Sequence, residues 1–286
     1  MPEGDTIFRA ARTLERALGG KLVTRFETAL APLASVHDNT PISGRTVEKV
    51  ESRGKWLLVH FSGDLILVTH MLMSGSWHIY RAGERWRRPR KDMRVVIATG
   101  DCEAVAFNVP VARFYTARSL DRTSSVPRLG PDLLGMEFAQ DEAEARLLAH
   151  PNEEIAEVLL NQRVMAGIGN VFKSEICFAC GVHPFRQVST LSRAEVECLL
   201  HTSRKFLLMN VKDGVEDGIM TYTGARRTAR SADPGARLWV YRRQGQPCRR
   251  CGTPILMQKQ GVGARSTYWC AQCQRESADH AAHTSS

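Results

Sequence analysis

Near one end of this 286-residue chain, Cys248, Cys251, Cys270 and Cys273 stand in the pattern C-x2-C-x18-C-x2-C. Each C-x-x-C places two thiolates on one tight knuckle, and the stretch between them predicts a hairpin that brings the knuckles together. Four thiolates close a tetrahedron around one zinc ion and leave no place for water, so the zinc is structural and not catalytic. Cys177 and Cys180 form another C-x-x-C in "VFKSEICFACGVHP". A redox pair belongs at the start of a helix that follows a strand. This one lies at a helix end within an apolar pattern, which predicts two ordinary core residues. The isolated Cys102 and Cys198 read as small buried hydrophobes.

A second chemical stretch is "NQRVMAGIGNVFKSEI" at 161–176. A helix stops near Arg163, a turn follows, and Asn170 is placed to cap a new helix. Gly167 and Gly169 let the backbone come close to a ligand. The free N–H groups of the new helix and the positive end of its dipole suit a phosphate. The third stretch is "MPEGDTI", the first seven residues. A proline and a glutamate directly after the methionine raise the expectation that the amino terminus is itself a reagent.

Positioning these residues requires distinct bodies. Residues 6–18 read as a helix capped by Asp5 and ended by Gly19 and Gly20. From about 21 to 118 the pattern is one of strands. "KWLLVHF", "SGD" and "LILVTHM" predict one hairpin, and "MRVVIAT", "GDCE" and "AVAFNV" a second, which together point to a β-sandwich. The stretch 122–135, rich in Pro, Gly and Ser, reads as a linker. Helices are expected at 141–149, 152–162, 170–180 and 192–209.

The formal charge of +9 suggests a polyanionic partner. The charge is clumped. Segment 81–94 carries seven basic residues against two acidic, and segment 225–250 eight against one, with Trp86, Trp239 and Tyr241 interleaved. No apolar run approaches the roughly 20 residues of a membrane span, and no signal-peptide pattern is present, so a soluble cytosolic protein is expected.

Taken together, "MPEGDTI", "ESRGKWLL" at 51–58, "RLGPDLL" at 128–134, "AGIGNVFKSEI" at 166–176 and "CRRC…ARSTYWCAQC" resemble the bacterial formamidopyrimidine-DNA glycosylase and endonuclease VIII family. The pieces keep the family's order and cover nearly the whole chain. The resemblance implies an α+β fold: an N-terminal catalytic β-sandwich with a leading helix (1–121), the linker (122–135), a helical helix–two-turn–helix domain (136–237), a zinc-finger hairpin (238–274) and a disordered tail (275–286). It implies a monomeric, cytoplasmic, nucleoid-associated enzyme that acts on damaged DNA, excising oxidised bases and cleaving the backbone by β,δ-elimination.

The resemblance also implies roles. Pro2, exposed once Met1 is removed, is the nucleophile; a free α-amine has a pKa of about 7.7–8, so part of it is uncharged at neutral pH. Glu3 is the general acid/base. Lys55 works near the sugar and the adjacent phosphate. Asn170 and Arg265 hold the backbone around the lesion. Leu72 or Met73, in "HMLMSG" at 70–75, fills the gap left by the flipped base; the alternative places both in the sandwich core. The family's purine branch offers an arginine and a phenylalanine near a "DPRRFG"-like stretch. "NVPVARFYT" stands here instead, so those roles do not pass cleanly to Arg113 and Phe114. That departure and the segment before the zinc hairpin favour the endonuclease VIII-like branch and oxidised pyrimidines. The alternatives are an oxidised-purine glycosylase, a catalytically silent damage-binding protein and a zinc-ribbon nucleic-acid binder. The last leaves the "PEGDT" start unexplained.

Overall fold

The computed structural model describes residues 2–123, 128–212, 219–222 and 237–276. The chain divides into two compact units, Met1–Arg128 and Leu129–Ser286.

The first unit opens with α1 (Gly4–Leu18). Its apolar stripe of Ile7, Ala11, Leu14 and Leu18 is buried, and Gly19 ends it, as the sequence predicts. Its start differs from expectation. Glu3 occupies the N-cap and Asp5 lies within the first turn, fully buried. Burial raises the Asp5 carboxyl above its usual range, against the pull of Arg9 3.7 Å away. Then follow β1 (Arg25–Thr28), α2 (Ala31–Asn39), β2 (Val47–Arg53), β3 (Trp56–Phe61), β4 (Leu65–His70), β5 (Ser76–Arg81), β6 (Met93–Ala98), β7 (Cys102–Phe107), β8 (Val111–Tyr115) and α3 (Ala117–Thr123).

The strands form two antiparallel four-stranded sheets, β1-β6-β7-β5 and β2-β3-β4-β8. Both expected hairpins are present as β3–β4 and β6–β7. Val95, Ile97, Ala104 and Ala106 from one sheet share a core with Leu57, Val59, Phe61 and Leu67 from the other, and α1 joins it. Trp77 Nε1 donates to Thr69 Oγ1 across that core at 3.3 Å. Two helices, α2 and α3, stand where the sequence reading expects strands and linker. In α2 only Leu33 is buried, too few apolar positions to set a helical period. In α3, Leu120 packs with Leu58, Ile66 and Val68.

The second unit contains α4 (Gln140–Leu148), α5 (Ile155–Leu160), α6 (Asn170–Ala179), α7 (Arg193–Met209), β9 (Leu256–Gln260) and β10 (Arg265–Trp269). The first five residues after position 128 already belong to its packing. Gly130 N donates to Gln162 O, Ala166 N to Pro131 O and Leu133 N to Ala166 O, and Leu133 is fully buried. Helix α6 is enclosed on every side: Asn170 through Phe178 are all buried. Helix α7 begins with a capping box in which Ser192 and Glu195 satisfy each other's backbone N–H groups. One expectation about the cysteines fails. Cys180, at the end of α6, forms a disulfide with Cys198 of α7. Cys177 is free and buried, and burial pushes its thiol up to about 12. Among the described residues no helix is long and apolar enough to cross a membrane. Of the tail 275–286, expected to be disordered, residues 277–286 lie outside the described residues, as does most of the stretch 213–236.

Candidate active site and zinc module

Pro2 is half-buried and Glu3 wholly so, two adjacent residues at the start of α1. Both stand at the N-terminal, positive end of that helix. Lys55 lies in the tight turn between β2 and β3, after Gly54 at φ 57°. That positive φ is one a side chain would strain, which is why a glycine precedes Lys55. The Lys55 charge is felt at His70, whose imidazole is held below its usual range first by burial and then by Lys55.

His70 ends β4 and opens the 70–75 loop. Its ring meets Trp56 edge-on at 4.7 Å. The loop closes through Gly75 N to Met71 O at 2.8 Å, where a Cβ on residue 75 would sit 2.7 Å from that same oxygen. Met71 is buried, whereas Leu72 is 47% and Met73 70% exposed. Two large apolar side chains are therefore in water, and Leu72 has φ 45°, a conformation costly for a bulky residue. Phe114, by contrast, packs against Phe26 at 5.8 Å and Phe61 at 6.4 Å, while Arg113 is exposed.

In the second unit the turn 161–169 precedes α6. Gly169, not Asn170, is the N-cap, and Asn170 is the first helical residue. Its side chain instead reaches the zinc hairpin, donating from Nδ2 to Ser266 O at 3.0 Å, and its buried Oδ1 has no partner. Gly167 has φ 117° and donates its N–H to Gln162 Oε1. Arg265 opens β10 and is exposed. Its charge is felt at Lys173, one turn along α6 from Asn170.

The hairpin β9–β10 is placed by buried polar groups that a reading of the sequence does not reveal. Gln260 donates to Glu154 Oε2 and Pro184 O and accepts from Thr267 Oγ1. Gly261, at φ 65°, touches Glu157 so closely that a Cβ would lie 1.9 Å from Oε2. Lys173 Nζ is 3.6 Å from Glu157 Oε1, and burial lowers the ammonium below the usual lysine range. Glu175 is fully buried and accepts from Trp239 N, Val240 N, Tyr241 N and Thr221 Oγ1; burial raises its carboxyl. The sequence signal for this network is "KSE" within a helix whose every neighbour is apolar.

The Sγ atoms of Cys248, Cys251, Cys270 and Cys273 lie within 4.8 Å of one another. The separations are 3.8 Å for Cys248–Cys273, 3.4 Å for Cys251–Cys270 and 3.5 Å for Cys251–Cys273. A zinc–thiolate tetrahedron with bonds of about 2.3 Å has edges of about 3.8 Å, so the four sulfurs fit one structural zinc. Arg250, between the first two cysteines, donates to Phe178 O and Ala179 O at the C-terminal end of α6, and its guanidinium lies 4.4 Å from the Phe178 ring centroid. A cation at a helix C-terminus is favourable, and here it docks the knuckle on the helix.

Comparison with known proteins matches all three parts. Residues 1–113 match the formamidopyrimidine-DNA glycosylase N-terminal domain, 129–221 the formamidopyrimidine-DNA glycosylase H2TH domain, and 245–275 the zinc finger found in FPG and IleRS. The probable endonuclease 8 2 of Streptomyces coelicolor is 40% identical over 96% of this chain and 94% of its own length. The DNA-(apurinic or apyrimidinic site) lyase Nei2 of Mycolicibacterium smegmatis is 38% identical over 97% of this chain and 100% of its own. The chain belongs to the formamidopyrimidine-DNA glycosylase family. It is an enzyme of that DNA glycosylase and lyase class, with its similar relatives on the endonuclease 8 side. The fold agrees: a Lactococcus lactis FPG mutant in complex with a Fapy-dG containing DNA aligns with TM-score 0.78 at 21% identity, over 96% of this chain and 100% of that one.

Proposed function

We propose that this chain excises oxidised pyrimidines from DNA and then cleaves the strand, with Pro2 as nucleophile. Removal of Met1 frees the Pro2 secondary amine at the positive end of α1, where the neutral form is favoured. The amine attacks C1′ of the deoxyribose; the C1′–N bond breaks and the base leaves with the electron pair. The Pro2 nitrogen gives up its proton to the Glu3 carboxylate, which delivers it to the opening sugar ring oxygen. The resulting iminium draws electrons from C2′, whose proton passes to a base, and the 3′ C–O bond breaks. A second elimination releases the 5′ phosphate. Lys55 stands near the sugar and its phosphate, Asn170 and Arg265 hold the backbone, and Leu72 and Met73 fill the emptied stack.

The observation that carries this reading is Glu3, a carboxylate wholly buried beside Pro2 at the head of α1, in a chain 38% identical to a named lyase. The pyrimidine preference is supported by the endonuclease 8 names of the relatives and by Phe114, which is packed inward instead of presented as a wedge. Zinc holds the hairpin that carries Arg265 and takes no part in bond breaking.

Borohydride trapping on duplexes bearing thymine glycol or 8-oxoguanine tests the reading. The expected result is a covalent adduct mapped to Pro2, with faster excision of thymine glycol. An adduct mapped to any lysine, or none in an active protein, would overturn the Pro2 assignment; faster 8-oxoguanine excision would overturn the preference.

A further inference from the structure

The basic segment 81–94 takes no part in the proposed chemistry. Residues 82–92 join β5 to β6, and these strands begin at the same end of their sheet: Ser76 and Met93 both pair with Phe107. The connection must therefore leave β5 at Arg81, at the far end, and travel back across the sheet. It does so over the outer face. Trp86 packs there with Tyr80, Met93, Val96, Val105 and Phe107; its Nε1 donates to Glu103, and Arg87 N donates to the Tyr80 hydroxyl. The strap is pinned at its middle and is not a loose loop.

The acids of the neighbouring strands are already engaged, and within the strap Glu84 accepts from Arg81 N. Glu27 pairs with Arg25 and Arg90, and Glu103 with Arg25 and Trp86. Arg85, Arg87, Arg88 and Lys91 have no carboxylate partner among the described residues; three of them are exposed and Arg88 is half-exposed. Arg87 and Arg88 lie near enough to His78 for their charges to add to the burial that lowers it. The strap lines an open groove with Arg25 and Glu103. Its far end reaches the loop that carries Leu72 and Met73: Asn108 N donates to Asp92 O, and Ser74 Oγ donates to Asn108 O at 3.4 Å.

We infer that the 82–92 strap is a second nucleic-acid contact, a track of Arg85, Arg87, Arg88 and Lys91 for the phosphates of one duplex arm beyond the lesion. Unpaired guanidinium forks on a fixed backbone suit phosphate oxygens, and continuity with the 70–75 loop makes duplex DNA, not an acidic protein, the occupant. The inference rests on the proposed function for its partner.

The test uses the full chain and the variant Arg85→Gln/Arg87→Gln/Arg88→Gln/Lys91→Gln, which keeps Trp86. Affinity for about 12- and about 30-base-pair duplexes, each with a central tetrahydrofuran abasic analogue, is measured across a salt series. Removing one phosphate contact should lower the salt slope by about 0.9. The expected result is a slope lower by roughly 2–3 on the long duplex, with binding to the short duplex unchanged and with single-turnover cleavage at saturation unchanged on a long duplex that carries a natural abasic site in place of the analogue. Equal slopes for both proteins on the long duplex would overturn the track. An equal loss on the short duplex would also overturn it, by assigning the strap to the lesion itself. Restoration by the charge-keeping Lys variants at positions 85, 87 and 88 excludes misfolding. Failure of the unmodified protein to bind either analogue duplex, or to cut the duplex with a natural abasic site, would instead defeat the proposed function.

Discussion

The Leu72 backbone N–H donates to Nδ1 of His70 at 3.1 Å, so the ring that steadies this turn must keep that nitrogen unprotonated. Burial and then the Lys55 charge lower His70 below its usual range. A histidine depressed in the fold contributes stability that is full above its unfolded pKa of about 6.5 and declines as pH falls below it. His70→Asn keeps an acceptor without the titration. Between about pH 7.5 and 5, the unmodified protein should lose more thermal stability than His70→Asn, since His78, His183 and Asp5 are common to both. Parallel melting curves would show that the His70 titration does not set the loss.

Leu72→Ala/Met73→Ala separates a core role from a stacking role. Both side chains are largely in water, so the change in stability should stay within about 0.5 kcal/mol. Excision from paired duplex should fall at least about tenfold, because unstacking is then uncompensated. Cleavage of a single-stranded abasic site should be unaffected. An equal fall on both substrates would argue against a stacking role.

Glu175 gathers three successive backbone N–H groups and one hydroxyl. Glu175→Ala strands those donors in a dry interior and should cost about 3–5 kcal/mol. Glu175→Gln keeps one accepting oxygen and should cost less. Urea melts of the three proteins check the order; equal midpoints would contradict it.

One zinc per chain should be found by elemental analysis. Its removal by chelation should abolish the order of β9–β10, and with it the contribution of Arg265 to DNA affinity. Arg265→Ala in the zinc-loaded protein should lower the salt slope by about one. After chelation the same substitution should change nothing. A further loss in the metal-free protein would mean that Arg265 is placed without the metal.

The strands of the first unit were legible because β3, β4, β6 and β7 are nearly continuous apolar runs bounded by "SGD" and "GDCE". Their burial on both faces leaves that pattern little else to be. Helix α2 was not, since one buried leucine sets no period. The cysteine quartet was legible from spacing alone, but the Cys180–Cys198 pair was not: periodicity gives the inward face of α6 and of α7 and says nothing of which inward residues meet. The expectation that Asn170 caps α6 is half right. Asn170 stands at the head of α6, yet it binds Ser266 O across to the hairpin and leaves the cap to Gly169. Glu175 and Gln260 were missed because a buried polar side chain declares itself only through partners distant in sequence.

The lock on Gln260 turns the β9–β10 ladder into a ruler. Arg265 stands directly opposite Gln260, and a Cβ at position 261 would run into the Glu157 carboxylate. Adding or deleting a single residue in either strand would invert which side chains point inward, evicting Gln260 and Thr267 while swallowing charge. Length changes in this hairpin are therefore confined to its outermost tip, around Val262 and Gly263, and the place of Arg265 on the ladder is set by counting residues.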